Sequence, residues 1–207
     1  MGKDNCHNVN ELYGKHSGDI YILGSGATLG YYDKKFFDDR MVIGTNNIYK
    51  HIRCDYIVSH HHEIIQEAID DNQLVIVSKH HLSLAGMKEH NFDGEYYFYE
   101  HTNQSFCVAD LKEFGKIIIA AGTPIIAAMQ IACRMGAKNI ILCGVDGGRI
   151  DGVYNIGDYK PTNKGHAGRV QSVVNKMTQR IRKDGVGVYS LLPFTNMTLE
   201  GHKFTVG

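Results

Sequence analysis

The chain has no tryptophan, only three prolines, and no excess of either charge, with 22 acidic and 22 basic side chains in 207 residues. Balanced charge gives no electrostatic pull toward nucleic acid or an anionic membrane, so neither is expected as a partner. The five cysteines, Cys6, Cys54, Cys107, Cys133 and Cys143, are odd in number and form no CxxC pair. Neither a disulfide framework nor a thiolate zinc site is suggested, and Cys133 and Cys143 read as buried small hydrophobes. No apolar stretch nears the length of a membrane span. The opening "MGKDNCHNVNELYGKHSGD" lacks the apolar core of a signal peptide. The expectation is a soluble protein of a reducing compartment, the cytoplasm. Repeats and low-complexity linkers are absent as well, so the chain reads as one domain over 18–207 behind a flexible arm over 1–17. Self-association into a homo-oligomer stays open.

What the sequence does contain is short β-rich apolar runs alternating with helical patterns. Strands are expected near 19–24, 41–45, 55–59, 74–78, 96–99, 139–144 and 186–190. Most are apolar on both faces, which predicts an α/β fold: a mostly parallel, Rossmann-like sheet with helices on both sides. Two helices stand out. Over 123–136, Ile125, Ile126, Met129 and Cys133 keep helical spacing, with Thr123 as N-cap, Pro124 at the first position and Gly136 at the end. Over 167–184, Val170, Val173, Val174, Met177 and Ile181 form one stripe, and Gly185 stops it. The segment 145–166 is too long for an ordinary connection and reads as a functional loop.

"YILGSGATLG" (21–30) runs an apolar strand into Gly24-Ser25-Gly26-Ala27-Thr28. Glycines there let a phosphate approach the backbone, whose amides can hold an anion. A dinucleotide site would need an acidic residue at the end of the second strand. That strand ends "GTNNIY", with Asn46 and Asn47, which argues against NAD. No Walker lysine follows the turn, which argues against a P-loop. Asparagine amides suit a base or ribose edge; the plainer alternative is that the pair only shapes a turn. "SHHHE" (59–63) and "KHH" (79–81) lack metal-ligand spacing, and "EYYFYEH" (95–101) reads as core and edge packing rather than a stacking platform.

The stretch "GTPIIAAMQIACRMGAKNIILCGVDGG" (122–148) resembles a family that includes archaeal 6-hydroxymethylpterin diphosphokinases and motility-associated flagellin glycosyltransferases. The chain from about 19 to 196 also resembles the metal-independent bacterial sialyltransferases that elongate lipooligosaccharide. In that resemblance Gly24–Leu29 matches the first turn, Asn46 the second-strand asparagine, and His60 the place of a third asparagine. Gly144-Val145-Asp146 matches a G-I-D, Tyr154 a phosphate-holding tyrosine, and His166 in "NKGHAGR" the catalytic histidine. The helix start near Thr123 corresponds to a serine region. Ser25 replaces the turn asparagine, and Gly148 stands where the family has another tyrosine.

The resemblance implies a glycosyltransferase-like enzyme taking a nucleotide-activated sugar, a CMP-sugar first, and passing it to a small-molecule or glycan acceptor. Transfer is direct and inverting, with His166 as general base and no cofactor required. The binding set is then Gly24, Ser25, Gly26, Thr28, Asn46, His60, Thr123, Asp146 and Tyr154, with Arg169 and Lys164 near enough in sequence to assist. An alternative is pyrophosphate transfer from ATP to a pterin, with Asp146 and Asp151 holding Mg²⁺. A third is a non-catalytic nucleotide-binding accessory domain, motivated by Ser25 and Gly148.

Overall fold

The computed structural model describes residues 5–79, 92–102, 117–119, 123–145 and 166–191. Nine strands lie among them: β1 (Cys6–Asn8), β2 (Gly18–Leu23), β3 (Met41–Thr45), β4 (Tyr56–Ser59), β5 (Val75–Ser78), β6 (Tyr96–Thr102), β7 (Ile117–Ile119), β8 (Ala137–Cys143) and β9 (Gly187–Ser190). Three α-helices accompany them: α1 (His62–Asp70), α2 (Pro124–Met135) and α3 (His166–Lys183). The strands run β1-β6-β5-β4-β3-β2-β8-β9, with β7 paired to the far half of β6. Every pairing is parallel. The α/β sheet expected from the doubly apolar runs is the one the chain adopts.

Residue alternation explains why both faces must be covered. On β2, Ile20 and Ile22 join Ile140 and Leu142 of β8 beneath α2 and α3, whose Ile126, Met129, Val174 and Ile181 complete one core. The alternate residues Tyr21, Leu23, Val42 and Ile141 face the other way. There they meet Leu29, Phe37 and Ile48 from short 3-10 turns. Farther along that face, Ile57, Val75 and Val77 pack on Ile65, Ala68 and Ile69 of α1. The glycine turn leads into one of these 3-10 turns, Ala27–Tyr31.

The start of the chain, read as a flexible arm, is built into the fold from Cys6 onward. β1 pairs with β6, Cys6 opposite Tyr96 and Asn8 opposite Phe98. Asn8 then caps a 3-10 turn over Val9–Leu12: its Oδ1 accepts from the Asn10 amide, and Glu11 accepts from the Asn8 amide. Leu12 is 1% exposed within the main core. Gly14 and His16 donate to the Arg134 and Met135 carbonyls at the end of α2. Gly136 closes that helix at φ +100°, and a Cβ on it would lie 2.5 Å from the His16 carbonyl oxygen.

Candidate functional site

A parallel sheet puts all its strand ends on one rim, and ligands enter an open α/β sheet where the chain order reverses. Here the chain leaves β2 toward β3 and later returns to β8 on the other side. The reversal lies at the end of β2, where Leu23 sits between Gly44 of β3 and Cys143 of β8. Along this rim the Ile/Val core gives way to hydroxyls: β3 ends in Thr45, β4 in Ser59 and β5 in Ser78, all buried. Crossover helices run antiparallel to the strands they join, so the starts of α2 and α3 belong to the same rim. Thr123 and His166 stand at those two starts.

The glycine turn has a structural use that its composition alone did not reveal. The Gly24 amide donates to the Cys143 carbonyl at 2.8 Å, and the Gly26 amide to the Gly144 carbonyl at 2.7 Å. The two turns therefore continue the β2–β8 ladder past the strands. A Cβ on Gly24 would lie 2.5 Å from the Gly144 oxygen, and one on Gly144 the same distance from the Gly24 oxygen. These glycines are required by backbone meeting backbone. The amides of Gly24 and Gly26 are thus spent on the Cys143 and Gly144 carbonyls at the end of β8. Ser25 is half-buried and Thr28 buried on the turn between them and the core.

On the other side of β2 the rim is made of side chains. Thr45 Oγ1 donates to the Leu23 carbonyl at 2.9 Å. Asn46 follows at φ +52°, in the left-handed region that asparagine tolerates better than most residues. Its Oδ1 accepts from Ser59 Oγ at 3.0 Å, and Ser59 Oγ accepts from the His61 amide at 3.2 Å. With Oδ1 so engaged, the Asn46 Nδ2 group supplies the donors. Asn47 carries a buried Oδ1 without a hydrogen-bond partner.

The three histidines of "SHHHE" take three directions. His60 Nε2 lies 3.1 Å from the Tyr99 hydroxyl of β6, across the end of β5. His61 pairs with Glu63 at 3.8 Å. His62 stacks on Phe92 with ring centroids 4.7 Å apart. Among the described residues, no three His, Cys, Asp or Glu side chains gather as a metal site would require, and no helix is long and apolar enough to cross a membrane. The four described cysteines, Cys6, Cys54, Cys133 and Cys143, are free thiols.

The structure therefore brings Gly24, Ser25, Gly26, Thr28, Asn46, His60 and Thr123 to one rim. Thr123 takes the N-cap position of α2, but its hydroxyl makes no capping bond. His166 opens α3. Asp146, Gly148, Asp151, Tyr154 and Lys164 lie outside the described residues. The Thr45, Ser59 and Tyr99 hydroxyls were missed at the sequence level; hydroxyl residues ending consecutive apolar runs were the available signal.

No protein-family model matches the chain, and no curated protein matches it. Among solved structures it is similar to the sialyltransferase CstII from Campylobacter jejuni, described in complex with a substrate analogue, cytidine-5'-monophosphate. The TM-score is 0.48 at 14% identity, over 87% of this chain and 81% of that one.

Proposed function

We propose that the chain is a glycosyltransferase-like enzyme that holds a nucleotide-activated sugar, a CMP-sugar in the first instance, on the C-terminal rim at the β2 reversal. The observation that carries this reading is the convergence, on that rim, of positions singled out in the sequence for nucleotide contact. Asn46 brings a donor group, His60 a ring held by Tyr99, and the starts of α2 and α3 bring Thr123 and His166. Amide and imidazole donors recognise base, ribose and phosphate oxygens without metal. His166 is assigned as the general base, taking the acceptor hydroxyl's proton as its oxygen attacks the anomeric carbon and the nucleotide phosphate leaves. Histidine suits that exchange because its unperturbed pKa lies near working pH. With the Gly24 and Gly26 amides engaged across the seam, this reading rests on these side chains.

A thermal-shift series with CMP, UDP, GDP, ATP and NAD, each with and without Mg²⁺, tests the reading. A ligand at one hundred times its Kd stabilises the native state by about 2.7 kcal/mol. CMP alone should raise the midpoint, with or without Mg²⁺. A response confined to ATP with Mg²⁺ would replace this reading with pyrophosphate transfer, and no response to any nucleotide would end it.

A further inference from the structure

Ser59 ends β4 and is fully buried, with 0% of its surface exposed. The β3–β4 register sets Thr45 opposite Val58, so the next residues, Asn46 and Ser59, leave the sheet side by side. A serine hydroxyl has one hydrogen to give and lone pairs with which to accept. The His61 amide, which can only donate, lies 3.2 Å from Ser59 Oγ. The hydroxyl hydrogen therefore needs an acceptor of its own, and Asn46 Oδ1 stands 3.0 Å away. Turning the Asn46 amide over would set Nδ2 against the same oxygen. Ser59 would then accept twice, and its buried hydrogen would have no partner to replace water. The relay from the His61 amide through Ser59 to Asn46 Oδ1 thus has one direction.

We propose that Ser59 is a positioning residue that sets the polarity of Asn46, holding its Oδ1 so that the amide offers Nδ2 and this rim position reads an acceptor oxygen of the nucleotide rather than a donor group. The geometry suits such a lock at both ends. Ser59 belongs to a strand with neighbours on both sides, β3 and β5. Asn46 follows directly on Thr45, whose own hydroxyl is tied to the Leu23 carbonyl. With its backbone held at φ +52°, Asn46 keeps two side-chain torsions. The outer one is nearly two-fold for an amide, and Ser59 decides between its two settings. No hydrogen bond among the described residues uses Nδ2. The nucleotide role of Asn46 rests on the reading above; the direction of its amide does not.

The test begins with nitrogen–proton spectra of protein carrying labelled asparagine side chains, the Asn46 pair being assigned by its loss in Asn46→Gly. In the ligand-free wild type both Nδ2 protons should exchange with water unprotected, because neither is bonded to Ser59. A protected Nδ2 proton there overturns the proposal whether or not any variant folds. Ser59→Ala removes one oxygen and should let the Asn46 amide turn, read as a fall in its Nδ2 order parameter. An unchanged order parameter in folded Ser59→Ala overturns the positioning role. CMP is the binding probe. It should protect the Nδ2 protons of the wild type, and CMP binding that leaves them unprotected overturns the acceptor reading. Ser59→Ala should weaken CMP about tenfold, while saturating CMP restores the order of the amide. Undiminished affinity in folded Ser59→Ala would reduce Ser59 to a partner for the His61 amide. Failure of the wild type to bind CMP, with the unprotected and Ser59-dependent amide intact, would remove the nucleotide reading and leave the Ser59 lock standing.

Discussion

On the β8 side of β2 the rim is closed by backbone; on the β3 side it is closed by side chains. The first half has Gly24 and Gly144 in mutual contact, with the amides of Gly24 and Gly26 donating to carbonyls across the seam. The second half has Thr45 donating to Leu23, Ser59 donating to Asn46, and His60 joined to Tyr99. A backbone seam fixes where two strands end but offers few groups to a ligand. A side-chain relay fixes orientation while leaving donor groups of its own. The difference teaches that a glycine-rich turn at the end of a first strand can belong to the scaffold while its neighbours carry the chemistry.

Substitutions on the seam should have the largest effect on stability and the least specific effect on binding. Gly144 combines φ +63° with a Cβ position 2.5 Å from the Gly24 oxygen and 3.1 Å from Leu29 Cβ. Strain in that conformation and overpacking against backbone should together make Gly144→Ala cost about 3 kcal/mol or more. Gly24→Ala meets the same contact from the other side without the conformational strain and should cost less. Urea unfolding of both variants measures this. A loss below about 1 kcal/mol in both would mean that the seam can part, and the contrast between the halves would dissolve.

Asn46 sharpens the contrast because two substitutions separate its backbone from its amide. Asn46→Ala loses the Ser59 contact and must hold φ +52° with a less tolerant residue, a combined cost of about 2 kcal/mol. Asn46→Gly relieves the backbone and should cost about 1 kcal/mol for the hydrogen bond alone. Both should abolish the CMP-induced thermal shift. If Asn46→Gly keeps the shift of the wild type, the asparagine is there for its turn and not for a ligand.

Much of this fold was legible because a strand buried on both faces is spelled as an unbroken β-branched run. "YILG", "YIVS" and "VIVS" could hardly be anything else, and each strand is where its run predicts. The elements that were not foreseen are short or stand beside a louder signal; β7 is only the triplet Ile117–Ile119. β1 is the polar triplet Cys6-His7-Asn8, a strand only because β6 offers it an edge. The Ile64, Ile65, Ala68, Ile69 stripe of α1 follows directly on three histidines that drew attention to themselves. At the rim, the need for Gly24 was visible but its reason was not. Close approach of a phosphate and close approach of another strand's carbonyl both exclude a Cβ. The His60–Tyr99 pair joins residues 39 apart in sequence from strands separated by a third, so no local pattern could announce it.

The smallest expected effect concerns two thiols, Cys143 at the rim beside the seam and Cys54, which precedes β4 and packs against the sheet face on the β3 side. Cys143 ends β8 beside the seam and is fully buried, which raises its pKa. Cys54 lies under Gly44 of β3, where a Cβ would come 2.6 Å from its sulfur; burial first, and then the charge of Asp55, push its pKa from 9.0 to about 12. A folded-state pKa above the unfolded one means that the native state keeps a proton the unfolded chain gives up. The contribution is fully present below pH 9 and is lost as pH rises from about 9 toward 12. Unfolding free energy should therefore be level near pH 8 and decline by pH 10, with Cys54→Ala removing about 1 kcal/mol of that decline. Labelling separates the halves further. Cys54 is partly exposed and needs only a local opening to react, whereas Cys143 needs the β2–β8 seam to part. Under native conditions Cys54 should label well before Cys143; the reverse order would make the backbone seam the looser half.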